Sequence, residues 1–412
     1  MSKPPGPTVH DRSGSANSGA PGHPHLIADS FALKLGLFYS ATFLFGGIQL
    51  PFFPLWLEAT GLSAREIGLV IAVPMLARIV ATPVIAHQAD RRQALKAALV
   101  IASLIGALAM TVVGLVQGFV AILVVYVVAA TAFSPLLPLT DAYALNGLTA
   151  RRRAYGPVRL WGSVAFIVGN VGAGLLLDII APGNLIWLIV GSLVAVVATA
   201  AMLTPLDATA PHATAPRPTV RQLWQSPAVI AVIATIALVQ PSHAFYYGFS
   251  TVEWRGLGFS GLTIGLLWGL GVLAEIVLFA LSTRLPPALT PTVLLMIGAG
   301  GAAIRWTAMA FDPPFASLPF LQCLHAASFG ATHLGGMAFL ARAVPKELSA
   351  TAQGAIATAG GIIAAAATSL SGLIYASAGS LAYLLMAGMG LAGLICALAA
   401  HRLWRERSGA QS

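Results

Sequence analysis

Glu275, Arg305, His325 and His333 interrupt stretches of sequence that are otherwise apolar. A carboxyl enclosed in this way is desolvated, and it can bind and release a proton as its surroundings change. Arginine keeps its charge in proteins and needs an anion; Glu275 is one candidate and an anionic solute another. Histidine changes charge near neutral pH, which suits it to moving protons. The set reads either as a proton-binding group or as fixed pairs that lock helices together. Gln322, His325, Ser328, Thr332 and Gly336 recur every three or four residues, so they share a helix face with His333 beside it. Gln240, His243, Tyr247, Ser250 and Trp254 share another, adjoined by Tyr246. Rings with polar tips suit stacking on an aromatic or sugar ring while hydrogen-bonding it. The alternative, an interfacial aromatic belt, suits Trp254 better than the deeper Gln240 and His243. No phosphate-binding loop, HExxH or nucleophile constellation is present, which argues against an enzyme and against drive by ATP. Cys323 and Cys396 form no metal or disulfide pattern. No cofactor is expected.

The elements that must position these residues follow from composition. The chain is 58% hydrophobic and 8% charged, against about 25% charged in soluble domains. That leaves too little polar surface for a water-soluble globule, so the solvent is a bilayer. Spans of about twenty apolar residues fall at 31–57, 67–87, 97–117, 118–144, 161–180, 182–203, 227–252, 262–282, 291–310, 315–341, 353–376 and 380–402. The expected fold is all-α, with twelve transmembrane helices in two six-helix bundles, 31–203 and 227–403. A cytoplasmic linker, 204–226, rich in Pro, Ala and Thr, joins them. Residues 1–30 read as a disordered tail whose His10, His23 and His25 are solvated, and 404–412 as a second tail. Pro51, Pro54, Pro135, Pro138 and Pro241 should bend their helices.

The two bundles echo each other. Ile67-Gly68-Leu69 recurs as Ile264-Gly265-Leu266, and Leu76-Ala77-Arg78-Ile79-Val80 as Leu273-Ala274-Glu275-Ile276-Val277. Gly61 and Ser63 recur as Gly258 and Ser260. Arg78 and Glu275 therefore occupy matching places and are expected at similar depth, facing inward. The sequence-level partner for Arg78 is Asp141, and its role is either gating or substrate binding. Charge within membrane depth is a functional hypothesis, and related halves around a midplane site characterise secondary transporters.

The net charge of +9 is placed by topology and not by a nucleic-acid partner. With the N-terminus inside, 18 of the 22 Lys and Arg fall in cytoplasmic segments, and only Arg65 and Arg255 in outer loops. This asymmetry puts both termini in the cytoplasm.

The loop Ala86-His87-Gln88-Ala89-Asp90-Arg91 resembles the loop motif of the major facilitator superfamily, with Ala86 at the usual glycine and no Gly-Arg-Arg tail. Three further stretches narrow the resemblance: Tyr155-Gly156-Pro157-Val158-Arg159-Leu160-Trp161-Gly162-Ser163, Ser242-His243-Ala244-Phe245-Tyr246-Tyr247, and Leu324-His325-Ala326-Ala327-Ser328-Phe329-Gly330 with His333. Together they are similar to the phenylpropionate permease group, itself related to lactose permease and to the nucleoside proton symporters. A monomer is expected, and the resemblance implies proton-coupled uptake of a small molecule across the bacterial inner membrane. It implies proton coupling at Glu275, Arg305 and a tenth-span histidine, His325 or His333. Asp90, Arg91 and Arg159, with Arg78 and Asp141, are the gating candidates. Gln240, His243, Tyr246, Tyr247, Gln322, Ser328 and Thr332 are the substrate-binding candidates. Sugar or nucleoside symport, efflux by antiport, and a non-transporting membrane sensor are the rival readings.

Overall fold

The computed structural model describes residues 30–206 and 221–409. The tail with its three histidines, the middle of the linker and the last three residues lie outside the described residues. Every described element is helical, and ten segments are long and apolar enough to cross a membrane. The first seven helices are α1 Ser30–Ala59, α2 Ala64–Arg91, α3 Leu95–Leu115, α4 Phe119–Phe133, α5 Leu136–Ala150, α6 Tyr155–Leu177 and α7 Leu185–Met202. A short α8, Arg221–Trp224, is followed by α9 Pro227–Val239, α10 Ala244–Gly256, α11 Gly261–Leu281 and α12 Pro291–Met309. The last four are α13 Leu318–Cys323, α14 Thr332–Ala343, α15 Ser349–Ala378 and α16 Tyr383–Gly409.

Three expected single spans are interrupted. Ser134 and Pro135 separate α4 from α5 within 118–144. Pro241 opens a 3₁₀ turn, Pro241–His243, between α9 and α10. Proline has no N–H to donate and crowds the preceding turn, so the helix breaks there. Between α13 and α14 the chain makes a π-helical turn, Ala326–Ala331. Pro51 and Pro54, in contrast, leave α1 continuous.

The repeated Gly and Ser have a local physical role. Gly61 and Gly258 both take the left-handed conformation, with φ of 87° and 86°. Two residues on, Ser63 and Ser260 cap the next helix: Ser63 Oγ accepts from Glu66 N at 3.4 Å, and Ser260 Oγ accepts from Thr263 N at 3.1 Å. Each hydroxyl thus satisfies an amide that a helix N-terminus leaves free.

The repeated glycines of α2 and α11 then set the packing. A Cβ on Gly68 would meet Gly372 Cα of α15 at 3.2 Å. A Cβ on Gly265 would meet Val171 Cα of α6 at 3.1 Å and would collide with the Asn170 carbonyl. Gly174 and Gly261 face each other so closely that a methyl on either would strike the other's carbonyl oxygen. Small residues let backbones approach this closely where no hydrophobic force drives helices together. These contacts lie toward the end of the bundle opposite the chain termini, called here the far end. The α2–α15 contact continues to Ile79 and Gly361, and beyond it Val80 and Val84 of α2 are exposed.

Candidate functional site

Arg305, on α12, is fully buried and organises the site. Its Nη2 donates to Gln322 Oε1 at 2.7 Å. Its Nη1 donates to His325 Nδ1 at 3.2 Å and reaches Ser328 Oγ at 3.5 Å. The guanidinium lies 4.4 Å from the Trp306 ring centroid and 4.9 Å from that of Tyr246. Arg305 can reach the α13–α14 segment because Gly298 and Gly301 on α12 admit it: a Cβ on Gly301 would meet Ala327 Cβ at 2.9 Å.

The hydrogen bonds set the histidine tautomers. Arg305 can only donate, so His325 Nδ1 accepts and its proton sits on Nε2. That nitrogen lies 3.5 Å from Glu275 Oε2. His243, also fully buried, has Nδ1 3.0 Å from the Gln240 carbonyl and Nε2 3.0 Å from Ser328 Oγ. The carbonyl only accepts, so Nδ1 donates and Nε2 takes the Ser328 proton. A continuous chain therefore runs from Glu275 through His325, Arg305 and Ser328 to His243. Thr332 Oγ1 donates to the Ser328 carbonyl at 2.9 Å, and Gln240 Nε2 approaches the Phe329 carbonyl at 3.4 Å, beside the π turn.

An aromatic wall adjoins this chain. Tyr246 stacks on Trp268 with centroids 4.5 Å apart, and Tyr247 on the same indole at 5.8 Å. Trp306 stacks on Tyr383 at 5.7 Å and donates to Ser242 Oγ at 3.0 Å. Arg305 Nε, Gln322 Nε2 and Trp268 Nε1 are buried donors with no protein partner among the described residues. Such groups are expensive to leave unmet, so donors gathered at one place suit a solute with acceptor oxygens.

His333 stands apart from this chain. Its ring is stacked beside Phe329 at 6.4 Å and lies 6.1 Å from Phe279, within electrostatic reach of Glu275. The pairing expected between Arg78 and Asp141 is replaced by another. Asp141 Oδ1 accepts from Tyr39 at 2.6 Å and from Tyr155 at 2.9 Å. Two phenols on α1 and α6 reach it first, so it ties those helices to α5. Arg78 instead lies near Tyr126, which accepts from Gln49 at 2.9 Å; the buried Arg78 Nε has no hydrogen-bond partner among the described residues. Arg159 covers the Phe43 ring at 4.0 Å and acts electrostatically on Glu275. Asp90 and Arg91 are exposed at the end of α2, away from the buried chain. Trp268, Tyr383 and Glu253 escaped the sequence reading. Trp268 carried one usable signal, an indole deep inside a span and not at its end.

Residues 32–385 match the MFS_1 like family. The chain belongs to this family of major facilitator transporters. This transporter is 33% identical over 315 residues to the "Probable 3-phenylpropionic acid transporter" of Escherichia coli (strain K12), covering 74% of the chain and 81% of the relative. It is 29% identical over 325 residues to the maltose permease of Geobacillus stearothermophilus, covering 77% and 80%. Among solved structures, the nucleoside transporter NupG superposes with a TM-score of 0.74 at 15% identity, covering 91% of this chain and 99% of that one. The D-xylose-proton symporter superposes at 0.66 with 14% identity, covering 91% and 97%. The transporter is thus a multi-pass membrane protein of the major facilitator kind that carries small molecules and is not an enzyme.

Proposed function

We propose that this transporter is a proton-coupled symporter that imports a small aromatic acid of the 3-phenylpropionate type, working as a monomer in the bacterial inner membrane with both termini in the cytoplasm. The carrying observation is the Glu275–His325–Arg305 chain, with His325 Nε2 3.5 Å from Glu275 Oε2 and Nδ1 3.2 Å from Arg305 Nη1. The imidazole presents N–H to a carboxylate on α11 and a lone pair to a guanidinium on α12. When Glu275 takes up a proton its attraction for that N–H falls, and the hold of α11 on the α13–α14 segment loosens. Proton binding and helix contact are thereby one event. His333, near the same carboxyl, is the reserve proton group.

The aromatic wall of Tyr246, Tyr247 and Trp268 supports a ring-bearing solute, and the free donors on Arg305 and Gln322 support an acidic one. Gln240, His243, Ser328 and Thr332 hold the wall and the π turn in place. A sugar or nucleoside symporter is the second reading, favoured by the free Trp268 N–H, which suits a neutral hydroxyl. In the first half, Arg78, Asp90, Arg91, Asp141 and Arg159 are assigned to gating; Arg159 and Glu275 act on one another between α6 and α11.

The architecture belongs to the same proposal. Helices α4 with α5, α9 with α10, and α13 with α14 each make one crossing, and Lys346–Glu406 makes two, giving twelve in bundles 31–203 and 227–403. The matched α2–α15 and α11–α6 contacts support that division. With the far end closed, the halves would rock apart there to admit solute.

The experiment is transport in proteoliposomes. Glu275→Gln mimics the protonated acid, so it should abolish accumulation driven by a proton gradient and spare solute exchange, which needs no net proton release. Accumulation at the wild-type level would move the proton site to His325 or His333. Competition of exchange by phenylpropionate, maltose and uridine separates the solute classes.

A further inference from the structure

Glu253 is a carboxyl that the transport chain does not use. It lies on α10 close to the far end, whereas Glu275 is near the middle of α11. Its Oε2 is enclosed and has no hydrogen-bond partner among the described residues. It faces the hydroxyl of Tyr383, the residue that opens α16, and that hydroxyl is fully buried and also lacks a hydrogen bond of good geometry.

The groups that face Glu253 come from each neighbouring helix. Asp312, in the turn after α12, and Tyr383 act on it directly. Tyr375 of α15 lies within reach of both Glu253 and Glu58 of α1. Arg255, two residues along, is turned away onto Asp178 at 3.4 Å and the Phe259 carbonyl at 3.1 Å. Arg305 and Tyr246 also act electrostatically on Tyr383. The carboxyl is therefore surrounded by acids and phenols. An ionised carboxylate here would have the Tyr383 hydroxyl as its one donor on this side and no counter-charge facing it, which a buried group tolerates poorly. The neutral acid removes that charge and can itself donate to the Tyr383 oxygen.

We propose that Glu253 is a second proton-binding site of this transporter, occupied while the far end is closed and linked through Tyr383 to Arg305. One O–H bond forms on the carboxylate, the proton comes from water at the far face, and no other bond changes. Opening of the far end would bring water to Glu253 and release the proton. The site does not depend on which solute is carried, nor on Glu275 being the coupling group.

Infrared difference spectroscopy of the purified full-length protein in lipid nanodiscs tests this. The wild type, titrated across neutral pH in potassium buffer, should show a protonated-carboxyl C=O band that shifts in heavy water. The band should be lost in Glu253→Gln, be retained in Glu275→Gln and move in frequency in Tyr383→Phe. Identical bands in the wild type and Glu253→Gln would overturn the proposal. If Glu253→Gln does not fold, Tyr383→Phe decides, and an unmoved band overturns it. Loss of the band on adding sodium at constant pH would assign the site to a metal cation and also overturn it.

Discussion

Ser328 is where two buried demands meet. Its hydroxyl gives its proton to His243 and lies within reach of Arg305. Ser328→Ala would leave His243 Nε2 with an unmet lone pair in a dry site. Interhelical hydrogen bonds in membranes contribute about 0.6 kcal/mol on average and up to about 1.7 kcal/mol, and full burial places Ser328 toward the upper figure. The expected outcome is a lowered midpoint of thermal unfolding in detergent, with Ser328→Cys, which keeps a weak donor, falling between. An unchanged midpoint in Ser328→Ala would mean that this bond is not part of the resting structure. At this scale the residue types were legible: periodicity put Gln322, His325, Ser328 and Thr332 on one face, and all four are buried beside Arg305 or the π turn. Their order of contact was not. Which atom of which histidine meets Arg305 depends on the π turn, whose extra residue rotates the face, and no composition signal marks such a turn.

At the scale of elements, the contact between α6 and α11 is the most specified. Asp178, just past the end of α6, accepts from Gly261 N at 2.7 Å and Leu262 N at 3.0 Å, and pairs with Arg255 at 3.4 Å. It thereby caps a helix outside its own segment, with its negative charge at the positive end of the α11 dipole. Partial burial pushes its carboxyl up, but the amides of Leu262 and Gly261 and the Arg255 guanidinium outweigh it and hold Asp178 below the usual carboxylate range. The sign follows from linkage. A group whose value is lowered in the closed form favours closure above its ordinary value, near pH ~4, and that favour is lost as pH falls through the lower closed-form value. The far end should thus stay latched through neutral pH and loosen only in strong acid, while Asp178→Ala should loosen it at every pH. Spin labels at Arg65→Cys and Leu257→Cys, one on each side of the seam, should report a longer far-end distance in Asp178→Ala at neutral pH. The same distance distribution with and without Asp178 would sink the latch. Of the seam glycines, the repeat singled out Gly265 but not Gly174 or Gly261. The sequence hid Asp178, because a carboxylate in the last residues of an expected span, 161–180, carries no sign that it caps a different helix.

For the whole molecule, the repeat, the all-helical membrane-spanning character and the charge asymmetry were legible, since a bilayer imposes length and hydropathy on every crossing. The breaks were less so: Pro135 and Pro241 interrupt their helices, but Pro51 and Pro54 do not, because neighbouring helices decide how far each proline is tolerated. Orientation is the property that positive charge sets, and it carries the last prediction. Arg91, Arg92, Lys96, Arg151, Arg152 and Arg153 cluster at the end of α2, the start of α3 and the end of α5, on the side of the termini. At the far end the described Lys and Arg are few, Arg65 and Arg255 among them, and Arg255 is neutralised by Asp178. Lys and Arg are held on the cytoplasmic side during insertion, so the terminal end should be cytoplasmic and the closed far end should face outward. Reporter fusions after Ile180 and Asp312 should then score outside, and fusions after Asp207 and Ser408 inside. An outside signal after Asp207 would require an odd number of crossings before the linker. That would break the pairing of α2 with α11 on which two equivalent halves, and a solute path between them, depend.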